Sequence, residues 1–98
     1  MNINTQKQDT QLIIQLEGRL DTTSAPELLE ELNKSLTGIT SLIIDFKDLE
    51  YISSAGLRVI LVAQQQMSEQ GKMVVKNVNE NIMEIFELTG FVEILTIE

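Results

Sequence analysis

Apolar positions in this chain fall into two kinds of run: short, dense ones, and longer ones in which leucines and isoleucines recur every three or four residues. The run Gln11–Gly18, QLIIQLEG, is short and β-rich, and it pairs with the polar segment NINTQKQ across a turn at Asp9-Thr10. Leu28, Leu29, Leu32 and Leu36 then make a stripe on one side of a helix. Ser24 reads as its N-cap, Glu27 three residues on completes a capping box, and Pro26 is tolerated in the first turn, where no intrahelical N–H is needed; Gly38 ends it. The compact run SLIIDF, Ser41–Phe46, has the length of a buried strand. GLRVILVAQQQMSEQG follows as a helix of about four turns, with Leu57, Ile60, Leu61 and Met67 on one side, Glu69 and the glutamines toward the other, and Gly71 as its stop. KMVVKNV is the next strand. Asn79 caps a third helix, ENIMEIFELTG, with Ile82, Ile85 and Phe86 facing in, Gly90 closes it, and FVEILTI alternates as a last strand. The order ββαβαβαβ predicts an α/β domain, a mixed β-sheet covered by helices.

The junction ISSAGL, Ile52–Leu57, does not fit this pattern of bulk and polarity. Two serines and two small residues stand where a strand ends and a long helix begins. A serine there is a natural N-cap. Ala55 and Gly56 leave the first turn unshielded, so a hydroxyl is presented at the positive end of a helix dipole, a place that tolerates an added phosphate. The same residues also fit a plain cap followed by a close-packed glycine.

Length, composition and charge narrow the function classes. Ninety-eight residues predict one domain, 1–98, with a single core. No apolar run approaches the ~18 residues of a membrane span, and MNINTQKQDT has no apolar block of a secretory leader. A cytoplasmic location is the default expectation. The net charge is −8, and from Asn77 to Glu98 there are five Glu and no Lys or Arg. Nucleic acid and direct contact with an anionic membrane are disfavoured for want of a basic stripe. The acidic stretch fits either a face for a protein partner or a solvated surface that aids solubility. The chain has no His and no Cys, so Ser-His-Asp and thiolate chemistry are out of reach, and neither G-x-S-x-G nor a P-loop is present. Asp45, Asp48 and Glu50 read as loop carboxylates rather than a metal cage, and Met67 and Met83 as core fillers. No enzyme activity, metal or cofactor is expected.

Three blocks, LEGRLDTTSAPEL (16–28), LIIDFKDLEYISSAGLRVIL (42–61) and GKMVVKNVNENIMEIFELTGF (71–91), make the chain similar to the anti-sigma factor antagonist family, whose domain is called STAS. The family motif is Asp-Ser-Ser/Thr-Gly-Leu after an aspartate-bearing strand. By position Ser53 stands on its Asp, Ser54 on the serine that is phosphorylated, Ala55 on the second Ser/Thr and Gly56 on the Gly; Asp21 matches an acidic residue of a neighbouring loop. Ser53 is a rival acceptor. The resemblance implies a partner switch. The unmodified protein binds an anti-sigma factor serine kinase and frees a sigma factor; phosphorylation of Ser54 weakens that contact, and a serine phosphatase resets it. The implied contact residues are Asp21, Thr22, Ser53, Ser54, Ala55, Gly56, Leu57 and Arg58. A different use of the same face is a non-phosphorylated STAS scaffold subunit of a transporter or stress-sensing complex. The resemblance further implies a helix following the last strand.

Overall fold

The computed structural model describes residues 1–98. Strand β1 (Asn2–Gln8) turns at Asp9, whose φ of 55° is the left-handed conformation of a tight hairpin, into β2 (Gln11–Leu20). Helix α1 (Ala25–Ser35) leads to β3 (Ser41–Ile52), α2 (Ser54–Gln70) to β4 (Lys72–Lys76), and α3 (Glu80–Thr89) to a 3₁₀ turn at Phe91–Glu93. The sheet order is β1-β2-β3-β4, with β1 antiparallel to β2 and β2, β3 and β4 parallel. This is the mixed sheet expected from the pattern. No helix is long and apolar enough to cross a membrane.

One face of the sheet makes the core. Leu12, Ile14 and Leu16 of β2, Leu42, Ile44 and Phe46 of β3, and Met73 and Val75 of β4 are buried at alternate positions. Leu28, Leu32 and Leu36 around α1 and Leu57, Ile60, Ala63 and Met67 of α2 belong to the same cluster. Leu29 and Leu61, expected in those stripes, are only half-buried, and of the two Leu29 packs against the cluster. Phe86 of α3 packs on Phe46 at 6.0 Å between ring centroids. Ile13, Ile43 and Val74 lie in register on the opposite face and are half-buried.

Two readings of the sequence are corrected. Strand β3 does not stop at Phe46; it runs to Ile52, so Asp45, Asp48 and Glu50 are strand residues. Its pairing with β2 shifts register twice, between Gln15 and Glu17 and between Gly18 and Arg19, each time placing an extra residue on β3. The bulges change the buried spacing from two to three, Phe46–Leu49–Ile52, which is why the alternation disappears from the sequence there. The expected last strand, FVEILTI, is a 3₁₀ turn followed by a single parallel bridge from Ile97 to Val75. Gly90, at φ 81°, ends α3 in the left-handed conformation, and Ile94 and Leu95 donate back to the carbonyl of Phe91, so the segment coils before it reaches β4.

Candidate functional site

The ends of β2 and β3 bring two loops together. Leu20 pairs with Ile52, and one residue beyond, the Ser53 N–H donates to the Leu20 carbonyl at 2.9 Å. The segment Asp21–Ser24 and the start of α2 are therefore fixed beside each other by backbone alone.

Ser24 does not form the expected capping box with Glu27. Its own backbone is already helical (φ −92°, ψ −20°), whereas an N-cap needs an extended one, and its hydroxyl makes no cap bond. The box lies three residues earlier. Asp21 Oδ1 accepts from the N–H groups of Thr23 (3.0 Å) and Ser24 (3.1 Å), and the Asp21 N–H donates to Ser24 Oγ at 2.9 Å. The Ser24 hydroxyl donates in turn to the Arg19 carbonyl at 2.6 Å, which accounts for a serine that is only 6% exposed. The N–H of Ser24, above all, holds the Asp21 carboxyl below its ordinary value; the Thr23 N–H, the Ser24 hydroxyl and the Arg19 charge add to this, and partial burial opposes it. Arg19 Nε lies 3.9 Å from Asp21 Oδ2, and its guanidinium stacks 4.2 Å from the centroid of Tyr51, its register partner.

At the second loop Ser53 is the N-cap of α2. Its backbone is extended, its Oγ accepts from the Gly56 N–H at 3.3 Å, and its carbonyl accepts the first helical bond from Leu57. Ser54 is the first residue inside the helix and is exposed, whereas Ser53 is half-buried. Thr22 and Arg58 are exposed as well, Arg58 one turn beyond Ser54 on the same side. No acidic side chain lies in the first turn of α2.

The remaining expected contact residues face inward or partly so. Ala55 is half-buried, and Gly56 and Leu57 are buried. Gly56 therefore does not leave the turn bare. A Cβ there would lie 2.7 Å from Leu20 Cγ and 2.9 Å from both Ile52 Cγ1 and the Leu20 carbonyl oxygen, so glycine lets the helix start rest directly on the sheet. The structure adds Arg19, Ser24 and Tyr51 to the site. Arg19 and Tyr51 precede the two loops by two residues each, but only the bulged register of β2 on β3 makes them neighbours.

The model of the STAS domain matches residues 2–98. The anti-sigma factor antagonist BtrV of Bordetella bronchiseptica is 34% identical over 99 residues, covering 99% of this chain and 85% of that protein. An anti-sigma factor antagonist structure from Mycobacterium paratuberculosis superimposes with a TM-score of 0.88 at 18% identity, covering 98% of this chain and 83% of that one. The phosphorylated form of the Bacillus cell fate determinant SpoIIAA does so with a TM-score of 0.77 at 16% identity, over 99% and 91% of the two chains. At those identities the two structures speak for the fold alone.

Proposed function

The chain belongs to the STAS family of anti-sigma factor antagonists, and on that premise we propose that it is a phosphorylation-controlled partner switch rather than an enzyme. In its unmodified form it binds an anti-sigma factor that is itself a serine kinase, and a sigma factor is released. The kinase transfers the γ-phosphoryl group of ATP to Ser54 Oγ, the bond to ADP breaks, and the hydroxyl proton leaves. A serine phosphatase hydrolyses the ester and restores the binding form.

One observation carries this reading: Ser54 is exposed at the first position of α2 while Ser53 is occupied as its cap. Of two adjacent serines, one hydroxyl is free for a phosphoryl donor. Thr22, Ser54 and Arg58 supply the outer contact surface, with Asp21 and Ser53 shaping the two loops. Gly56 and Leu57 act from beneath by seating the helix.

Phosphorylation adds about −1.5 to −2 charges. In the free protein the helix start offsets part of this, about 0.3–1 kcal/mol at a surface position. In the complex a surface fitted to a small hydroxyl has to desolvate a dianion, which costs several kcal/mol without a waiting cation. A hundredfold loss of affinity needs only about 2.7 kcal/mol. No rearrangement of the fold is required.

The test is incubation with ATP and the cognate kinase, followed by site mapping by mass spectrometry and by binding measurements. A single phosphate on Ser54 is expected. Ser54→Ala is expected to stay bound under phosphorylating conditions, and Ser54→Asp to bind weakly. An active kinase that leaves Ser54 unmodified, with both variants binding as the parent does, refutes the switch in favour of a non-phosphorylated scaffold role.

A further inference from the structure

Ser54, Arg58, Val62, Gln65 and Glu69 of α2 are exposed at spacings of four, four, three and four, so they lie on one stripe of the helix. The stripe carries two charges. Glu69 stands at its far end, about 16 Å from Arg58 along the axis, and Arg58 stands one turn from Ser54. The first turn of α2 holds no acidic side chain. Elsewhere Arg19 pairs with Asp21 and stacks on Tyr51, and Lys76 pairs with Glu98. Arg58 makes neither kind of contact. It is a cation set near the positive end of a helix, with no carboxylate to offset it.

We infer that Arg58 is the counter-ion of a phosphate on Ser54, its guanidinium closing on the phosphate oxygens across one turn of α2. The inference rests on the phosphorylation proposed above and adds the group that receives the charge. Positions i and i+4 bring their Cβ atoms to about 5–6 Å, and an anion placed N-terminal to its cation is the favourable order. Each Cα–Cβ bond of a helix tilts toward its N-terminus, so a long side chain at Arg58 covers the turn that carries Ser54. The planar guanidinium fork matches two phosphate oxygens at once. Arg19, at the end of β2, is the rival cation, but it is already held by the Asp21 carboxylate and the Tyr51 ring. Asp21 is the one carboxylate of the neighbouring loop, and it opposes a phosphate rather than receiving it. Modification therefore does two things to the contact surface. It adds a dianion, and it withdraws Arg58 as a free donor.

Phosphoserine placed at position 54 during translation, with no kinase and no partner present, tests this by ³¹P NMR titration of the free protein. Arg58→Gln is expected to raise the second pKa of the phosphate by about 0.2–0.5 unit relative to the parent. Arg58→Lys is expected to retain most of the parent's depression, Arg19→Gln to shift the value less, and high salt to shrink the difference. Arg58 is exposed, so these changes leave the core intact. An Arg58→Gln protein whose phosphate titrates with its parent's, or a larger shift from Arg19→Gln, overturns the inference. Such a result leaves the switch standing, whereas a kinase that ignores Ser54 sinks the switch without touching the titration.

Discussion

Gly56→Ala tests whether the start of α2 is held in place by contact with the sheet. In an open helix the change would stabilise the protein by up to about 1 kcal/mol, because alanine loses less backbone freedom than glycine. Here the added methyl would sit 2.7 Å from Leu20 Cγ and 2.9 Å from the Leu20 carbonyl oxygen, against an ordinary carbon contact of about 3.5–4.0 Å. The leucine side chain could turn away, but the carbonyl cannot, since it accepts the Ser53 N–H at 2.9 Å. Relief therefore means lifting the first turn of α2 by something under about 1 Å, and such overpacking costs typically about 1–3 kcal/mol. With backbone among the atoms in conflict we place the cost in the upper half of that range, leaving a net loss of about 1–2 kcal/mol. For a chain of this length that lowers Tm on the order of 5–15 °C. Urea unfolding and a thermal scan of the two proteins measure it. Because the two effects have opposite sign, a Gly56→Ala protein as stable as its parent, or more so, refutes the close seating of α2.

Two further substitutions probe the remaining anchors. Asn79→Ala removes both the cap accepted from the Ile82 N–H at 2.8 Å and the bond donated to the Leu49 carbonyl at 3.0 Å; a loss of roughly 2 kcal/mol is expected in urea unfolding, with Asn79→Asp intermediate because it retains the cap alone. For Asp21, whose folded carboxyl titrates below its ordinary value, the stabilising contribution is present above that value and is lost as pH falls through the folded one. Asp21→Asn keeps an oxygen acceptor without the charge, so the parent is expected to exceed it in Tm near neutrality and to lose that lead as the pH falls below the ordinary carboxylate range; a lead that holds or grows in acid contradicts the capping role.

Where local pattern and tertiary packing agree, the sequence was a sufficient guide. The hairpin at Asp9, the helix starts at Ser53-Ser54 and Asn79, and the core strands are short-range signals that the fold leaves intact. The extent of β3 was missed because the deciding partner is distant in sequence. Phe46, Leu49 and Ile52 are spaced by three because β2 contributes fewer residues to the same ladder, and no window on β3 alone contains that information. Ser24 resembles a cap when read with Glu27, but Asp21 already holds its N–H. Gly56 fits either a bare first turn or a close-packed seat when read alone, and Leu20 and Ile52 beneath it decide for the second. The exposed serine was legible; the reason it is held still was not.

That stillness bears on how a single modification can act. A loop that yielded on phosphorylation would spend much of the added charge on local rearrangement, and the partner would feel only the remainder. Here both loops are tied at the backbone, by Ser53 to Leu20 on one side and by the reciprocal Asp21–Ser24 bonds on the other. The first turn of α2 rests on side chains of the sheet with no room for a methyl group. In the proposed switch a dianion on Ser54 would therefore stay at the contact surface, and its desolvation would fall on the complex alone. Thus the same packing that leaves no room for a methyl group at Gly56 would set the size of the proposed switch: loosening the helix seat is expected to narrow the affinity gap between modified and unmodified forms, even where the unmodified protein still binds.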